Sequence, residues 1–430
     1  MTVYSAGNPV RVQRSPRVFQ MRELAFDGAA ILGLAAIAVA ATYVIHGAGG
    51  GLIPRHNVYY GSDTDRVLTN LFDPNSRFDR LSVHPLFGAL GVLVRAVAGR
   101  DTSLDVAVLA YYSLIAVTIA SLTYIATRVW GGGRLAATAA TVLTLGSGSF
   151  VFWIAVPETH VLGGASVLLL TILLRALPDD PAWRRLAVAG AFVVAISMVL
   201  TNVLSWGLGM LALAGWSVRS RPIRHLVTVG PQLASDTLAG IGLLALAWLV
   251  QYYALRNDSI PQLLQILSET RYVGAFPAPI LGGAYAVSPL SPESPVAIAA
   301  GLGMLAVLGF CLRSLGPVPL ALALFPLAGF ILHTFYDRRH AFLFAPNYVP
   351  IAATFIALGL SQMRARWPLL VMAAVGVLLG AANLHDYSKV RSDIAVQSDP
   401  AAAYEIFRRP HPIPEKLDPM PADPPLGPEA

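Results

Sequence analysis

Two acidic residues in the first polar stretch are the earliest candidates for chemistry. Asp63 and Asp65 lie two positions apart, directly after a Gly-Ser turn signal that follows Tyr60. The turn serine or Asp63 is suited to cap a short helix predicted over about 63–72. The two carboxylates are then either solvated groups on an interfacial helix, or one of them is a general base or a metal ligand. Carboxylates near a low-dielectric boundary can have raised pKa values, which suit proton abstraction.

A second candidate is His84, which precedes Pro85 where the chain returns to an apolar stretch. Proline is well suited to a first helical turn, so this pair predicts the start of a helix. His84 is therefore either a hydrogen-bonded residue at a helix start or a side chain facing the same cavity as the two aspartates.

A third group, Glu158 and His160, lies in a short polar stretch between two apolar runs. An ionisable residue in so short a loop between membrane helices is costly unless it is paired or functional. Glu158 either caps the following helix, whose dipole a carboxylate complements, or belongs to a site.

The fourth group is Arg338, Arg339 and His340, which follow Asp337. The planar guanidinium of arginine is suited to holding a phosphate or diphosphate group. The alternative is that these arginines pair with Asp337 or with other acidic residues on the same side.

Membrane helices must position these residues. Hydrophobic residues make up 55% of the 430 and charged residues 13%, against about 25% charged in soluble domains, which excludes an ordinary cytosolic enzyme. Scattered cations give the net charge of +6 without a basic face, so no nucleic-acid partner is expected. The single cysteine, Cys311, lies in an apolar run, so no internal disulfide forms and a buried core residue is expected.

The chain has about eleven long apolar runs, and nearly all of its arginines fall at alternate gaps between them. A run of about 20 residues crosses the hydrocarbon core as a helix. We therefore predict an all-α, polytopic transmembrane helical bundle in residues 24–385. A cytoplasmic tail (1–23) precedes it, and a proline-rich, partly disordered extracytoplasmic tail (386–430) follows it. Among the predicted spans are those over about 28–46, 104–127, 134–153, 236–255 and 367–384.

The arginines also predict the orientation, because cytoplasmic loops are enriched in Lys and Arg. The N-terminus is then inside. The orientation of the later loops depends on the apolar run at about 83–99. If this run crossed the membrane, Arg128 and Arg134 would lie outside. A re-entrant or juxtamembrane helix there instead places five consecutive arginine-bearing loops on the cytoplasmic side. The four candidate groups then lie at one depth on the outer face.

In architecture the chain resembles the membrane-embedded glycosyltransferases of the GT-C superfamily over about residues 24–385. The resemblance rests on a long first outer loop with the acidic pair Asp63-Thr64-Asp65, and on Glu158 in the next outer loop. It also rests on His84-Pro85-Leu86, which is similar to the family's aromatic/His-Pro-Pro-Leu-Tyr stretch. The chain departs from the family at Leu86, where a second proline would stand, and in having Glu158 where Asp is frequent.

The resemblance implies a multi-pass protein of the cell membrane, here a bacterial inner membrane, that acts at the extracytoplasmic face. It would move a sugar from a polyprenyl-phosphate donor to a glycan, lipid or protein acceptor with inversion. A first-loop Asp would be the general base, and arginines would stabilise the leaving lipid phosphate. No cofactor is certain, although carboxylates and imidazoles would suit Mg²⁺ or Mn²⁺. The expected catalytic residues are Asp63, Asp65 and Glu158, and the expected substrate-binding residues are Tyr60, His84, His160, Arg338, Arg339 and His340.

Two other functions stay open from the sequence. A transporter or lipid flippase of envelope polysaccharide precursors would carry ionisable residues or broken helices near mid-membrane, and Asn202, His46 and Asp236 are the candidates. A non-catalytic scaffold of envelope polysaccharide synthesis would leave the acidic residues apart in space and facing water.

Overall fold

All regular structure is helical in the part of the chain that the computed structural model describes. The described residues are 21–48, 64–72, 84–98, 104–154, 156, 158–214, 222–255, 295–328, 345–363 and 365–396. Over these ranges the all-α prediction is confirmed.

The helices follow one another with short connections over most of the described chain. They are α1 (Met21–Ala48), α2 (Thr64–Phe72), α3 (Phe87–Ala98), α4 (Leu104–Val129), α5 (Arg134–Gly146), α6 (Gly148–Trp153), α7 (His160–Arg175), α8 (Pro181–Ile196), α9 (Val203–Leu213), α10 (Pro222–Leu255), α11 (Pro295–Cys311), α12 (Pro317–Ala323), α13 (Val349–Ser361) and α14 (Trp367–Val396). Short 3-10 turns occupy Leu200–Asn202, Leu312–Ser314 and Ala345–Asn347.

Four described helices are long and apolar enough to cross a membrane, which indicates a membrane protein. They contain Ala25–Gly47, Val106–Val129, Gly230–Val250 and Trp367–Lys389. The shorter apolar helices have 10–17 residues, fewer than the about 20 that a perpendicular crossing needs. Helix length alone therefore accounts for four of the roughly eleven predicted spans.

Several predicted boundaries agree with the structure. The helix predicted over about 63–72 is α2, and the span predicted over about 104–127 is α4. The 12 residues of α3 rise about 18 Å, which is too short to cross the hydrocarbon core. A helix of this length fits the re-entrant or juxtamembrane interpretation of 83–99.

The span predicted over about 134–153 is not one continuous helix, because α5 ends at Gly146 and α6 begins at Gly148. Ser147 has an extended backbone, with φ −65° and ψ 149°. Its hydroxyl donates to the Thr144 carbonyl oxygen at 2.7 Å and accepts from the Phe150 amide at 3.3 Å. One side chain therefore ends α5 and caps α6, which apolar content does not reveal.

The last helix is longer than predicted. The sequence placed the end of the final span near 384 and an extracytoplasmic tail from 386, whereas α14 continues to Val396. Residues beyond Val396 lie outside the described part of the chain.

A buried carboxylate ties the first helix to the bundle. Asp27, on α1, accepts hydrogen bonds from Tyr124 at 2.9 Å, from Arg128 Nη2 at 2.8 Å and from Arg134 at 3.0 Å. We call these four residues the Asp27 cluster. Asp27 is only 8% exposed, and a buried carboxylate is tolerated when cations and hydrogen bonds compensate its lost hydration. The start of α1 is therefore fixed against the end of α4 and the start of α5.

The same end of the bundle holds the C-terminus of α7. The Trp130 indole donates to the Thr171 carbonyl oxygen at 3.2 Å, and the Arg175 guanidinium lies 5.9 Å from the centre of the Trp130 ring. Helices α4 and α7 therefore run in the same direction, toward an end that carries Arg128, Arg134 and Arg175. The first residue of α7, His160, lies at the opposite end.

Glycines allow α5 and α14 to cross in direct backbone contact. A Cβ on Gly146 would collide with the Gly376 carbonyl oxygen, and a Cβ on Gly376 would lie 2.7 Å from the Leu143 nitrogen. The Asn383 side chain donates to the Gly146 carbonyl oxygen at 2.8 Å, one residue before the break at Ser147. The crossing thus fixes the end of α5 that leads toward residues 154–160.

We expect Gly376→Ala to lower the free energy of unfolding by about 1–3 kcal/mol, because backbone atoms cannot move aside for the new methyl group. The matched control is Gly190→Ala in α8, where an added Cβ meets no atom within 4 Å and helix propensity favours alanine by up to about 1 kcal/mol. Thermal unfolding of the purified variants in detergent measures both. Equal melting temperatures for the two variants would contradict the tight crossing.

We expect Asp27→Asn to cost roughly 3 kcal/mol, because it leaves the Arg128 guanidinium, whose side chain is 11% exposed, without its carboxylate. Arg134→Gln should cost about 1 kcal/mol or less, because the Arg134 side chain is 43% exposed and water screens it. The two variants are compared by thermal unfolding in detergent. A larger loss for Arg134→Gln would contradict this account of the cluster.

Candidate functional site

Polar side chains are buried together where α7 begins, at the end of the bundle opposite the Asp27 cluster. They are His84, Glu158, Thr159, His160 and Asn347, all between 0 and 6% exposed. We call these five residues the polar cluster. Its members come from three stretches of the chain, so the tertiary structure is what joins them.

Thr159 connects a carboxylate with an imidazole. Its amide and its hydroxyl both donate to Glu158 Oε1, at 2.7 and 2.9 Å. The same hydroxyl oxygen lies 3.4 Å from His84 Nε2. The Glu158 carboxylate stands at the N-terminus of α7, where the helix dipole favours a negative charge. The described hydrogen bonds of Glu158 come from Thr159, the residue before the helix.

The hairpin between α8 and α9 holds His84 in place. His84 Nδ1 lies 2.5 Å from the Met198 carbonyl oxygen, and the Leu86 amide donates to the Ser197 carbonyl oxygen at 2.8 Å. A carbonyl oxygen only accepts, so Nδ1 carries a hydrogen and Nε2 is the ring nitrogen directed at Thr159. The backbone of the hairpin thus selects which nitrogen of His84 faces the cluster.

His160 and Asn347 complete the cluster. The Asn347 amide nitrogen lies 3.1 Å from His160 Nδ1, and the His84 and His160 rings meet edge to face with centres 6.1 Å apart. Glycines at the start of α7 admit the turn that carries Asn347. A Cβ on Gly163 would collide with the Asn347 side-chain oxygen, and one on Gly164 with the Pro346 carbonyl oxygen.

Tyr111 of α4 packs against α2, the helix that contains Asp65. The Tyr111 ring meets the Phe72 ring edge to face, with centres 6.3 Å apart. Phe72 is the last residue of α2, about 10 Å along the helix from Asp65. The predicted acidic helix is therefore packed against α4.

Three of the nine predicted site residues are thus brought together: His84, Glu158 and His160. Asp65 belongs to α2, although its side chain lies outside the described part of the chain. The remaining predicted residues also lie outside it, and their roles stay predictions: Tyr60, Asp63, Arg338, Arg339 and His340.

Thr159 and Asn347 were not predicted as site residues. Thr159 had a signal, since it stands between Glu158 and His160. Asn347 lies in a turn, and its place in the cluster comes from its contact with His160, which is distant in the sequence. Among the described residues, no three His, Cys, Asp or Glu side chains are arranged to hold a metal ion.

Asn202, a candidate for a mid-membrane transport site, lies instead in the hairpin between α8 and α9. Its amide nitrogen donates to the Gly163 carbonyl oxygen at 3.0 Å and lies 3.3 Å from the Ser166 hydroxyl. The hairpin is antiparallel, since the Phe192 and Trp206 rings meet with centres 5.1 Å apart. Asn202 therefore supports the first turns of α7.

No protein-family model, curated protein or solved structure matches the chain. The function is therefore inferred from the polar cluster. A carboxylate, a hydroxyl and two imidazoles in a place shielded from water can hold hydroxyl groups or pass protons, because hydrogen bonds are stronger at low dielectric.

We expect Thr159→Val to destabilise the protein by about 1–2 kcal/mol, because it withdraws a donor from a buried carboxylate at nearly constant side-chain volume. Thr159→Ser keeps the hydroxyl and is the matched control, expected to lie closer to the wild type. Thermal unfolding in detergent compares the three proteins. A Val variant as stable as the Ser variant would show that the Thr159 hydroxyl does not stabilise Glu158.

Proposed function

We propose that this protein is an inverting membrane glycosyltransferase that moves a sugar from a lipid-phosphate donor to an acceptor at the extracytoplasmic face. The observation that supports this most is the polar cluster: Glu158 and two histidines buried at the end of the bundle opposite the Asp27 cluster. The GT-C resemblance of the sequence places Glu158 and His84 in such a site.

The orientation follows from charge. Arg128, Arg134 and Arg175 share one end of the bundle, and the positive-inside rule makes that end cytoplasmic. The polar cluster then faces outside, where lipid-linked sugars would be used. About eleven spans, with α3 as a re-entrant or juxtamembrane helix, belong to this proposal.

In the proposed reaction an acceptor hydroxyl oxygen attacks the anomeric carbon of the donor sugar. Its proton passes to Asp63 or Asp65, and the bond between the anomeric carbon and the phosphate oxygen breaks on the opposite face. The products are the glycosylated acceptor, with inverted configuration, and the free lipid phosphate. Arg338 and Arg339 would neutralise the charge that develops on that phosphate.

Enclosure of the site would favour transfer over hydrolysis. Glu158, Thr159 and His160 are buried within the helical bundle, and exclusion of water protects an activated sugar from attack by solvent. Metal dependence is open in this proposal, because Asp63 and the Asp65 side chain lie outside the described residues.

We expect Asp63→Asn or Asp65→Asn to reduce sugar transfer by at least about 10²-fold, the usual contribution of a general base, and Glu158→Gln to weaken it. Purified protein in lipid vesicles is given a panel of radiolabelled polyprenyl-phosphate sugars with total membrane extract as acceptor. Release of sugar from the lipid is measured with and without a chelator, and the chelator arm decides the metal requirement.

Asp180→Asn is the matched control. Asp180 caps α8 through the Ala182 and Trp183 amides at the other end of the bundle, and asparagine caps a helix equally well. Full transfer by both first-loop Asp variants would overturn the proposal. Movement of intact sugar-lipid across the vesicle, without release, would identify a flippase, and neither activity would favour a scaffold.

A further inference from the structure

The Thr159 hydroxyl stands between two groups that can each accept a hydrogen bond. Its oxygen lies 2.9 Å from Glu158 Oε1 and 3.4 Å from His84 Nε2. All three residues are buried, with 0 to 6% of their surface exposed. A hydroxyl has one hydrogen, so it donates to only one of the two groups.

The hydrogen of the Thr159 hydroxyl goes to Glu158. The carboxylate is the closer acceptor, and a hydrogen bond to an ionised group is roughly twice as strong as a neutral one. The Thr159 amide donates to the same carboxylate oxygen at 2.7 Å, and the N-terminus of α7 favours a negative charge there. Glu158 is therefore ionised, and the Thr159 oxygen can only accept from His84.

The two ring nitrogens of His84 then both need a hydrogen. Nδ1 donates to the Met198 carbonyl oxygen, 2.5 Å away. If Nε2 had no hydrogen, its lone pair would face the lone pairs of the Thr159 oxygen, and the two atoms would repel each other. A hydrogen on Nε2 turns this contact into an attraction and makes His84 an imidazolium cation.

We infer that His84, Thr159 and Glu158 form a proton-binding unit, in which an imidazolium is paired with a carboxylate through the threonine hydroxyl. The unit holds one proton more than a neutral imidazole and a carboxylate would hold. Its net charge is zero, which favours burial because an uncompensated charge at low dielectric is strongly penalised. Thr159 is the positioning residue, since it joins the two charged groups.

The other groups that face His84 do not supply a competing charge. The hairpin between α8 and α9 presents backbone carbonyl groups, and residues 190–205 contain no titratable side chain. On α3, the neighbour is the apolar ring of Phe87. On α7, the His160 ring centre lies 6.1 Å away, and its Nδ1 accepts from the Asn347 amide nitrogen, so His160 is neutral.

A neutral unit would also admit an anionic substrate. A carboxylate at Glu158 without its imidazolium would repel the phosphate of a lipid-linked sugar, whereas the paired carboxylate keeps its acceptor oxygens without a net charge. This role in substrate binding rests on the proposed function. The shared proton is a property of the folded protein and exists without a substrate.

Solid-state nitrogen-15 NMR of the full-length protein in lipid vesicles, with ring-labelled histidine, shows which imidazole nitrogens carry hydrogen. The chain has nine histidines, and the His84 signals are those that His84→Gln removes. At pH 7 about three-quarters of an ordinary imidazole is neutral, but we expect His84 to be mainly imidazolium. A His84 ring that carries hydrogen on Nδ1 alone would overturn the inference.

Glu158→Gln should lower the ratio of imidazolium to neutral His84 at least about 10-fold, because the cation loses its carboxylate. Thr159→Val should also lower this ratio, since the bridging oxygen is lost, and Thr159→Ser should keep it. Asp180→Asn is the matched control. It removes a carboxylate that caps α8 at the opposite end of the bundle, so the His84 signals should not change.

An unchanged ratio in Glu158→Gln would show that the charge of His84 is independent of Glu158 and would overturn the pairing. Equal ratios in Thr159→Val and Thr159→Ser would overturn the bridge, and this comparison provides the test if Glu158→Gln does not fold. The spectra are recorded without substrate. Failure of sugar transfer would therefore overturn the proposed function and leave the shared proton standing.

Discussion

A carboxylate inside an apolar helical bundle must be compensated where it lies, and this requirement fixes the arrangement around Asp27. Its two oxygens take hydrogen bonds from Tyr124, Arg128 and Arg134. Lipid cannot replace these partners, so the carboxylate depends on the side chains around it. The start of α1 is therefore held against the turn between α4 and α5. Gly131, with φ +98°, permits that turn to close.

Buried polar groups at the other end of the bundle must also be compensated. Among the described residues, the partners there are backbone carbonyl groups and a hydroxyl. Carbonyl groups of the turn at Ser197 and Met198 hold the stretch from His84 to Leu86. Thr159 donates to Glu158, and its hydroxyl oxygen lies 3.4 Å from His84 Nε2. These turns approach closely because the first turns of α7 have glycines where a Cβ would not fit. The packing of the helices and the hydrogen bonding of the buried polar groups are thus coupled. The polar cluster forms because glycines let several turns approach the start of α7.

Helix α4 runs between the two ends. It carries Arg128 in the Asp27 cluster and, about 26 Å away along the helix, Tyr111, which packs on Phe72 of α2. Arg128, Arg134 and Arg175 thus lie at one end of the bundle. The buried carboxylate, hydroxyl and imidazoles of the polar cluster lie at the other end.

The sequence by itself determined the class of the protein, because hydrophobic run length and charge scarcity are properties of composition. It predicted α2 and α4 nearly to the residue. The sequence did not predict the break at Ser147, because the hydrogen bonds that one hydroxyl makes on both sides outweigh the apolar content of the run. Only the tertiary structure brought His84 to the stretch that holds Glu158 and His160, and only it added Asn347. Asn347 contacts His160, which is 187 positions away in the sequence. The sequence around Asn347 could not predict this contact, because it depends on glycines in helix α7.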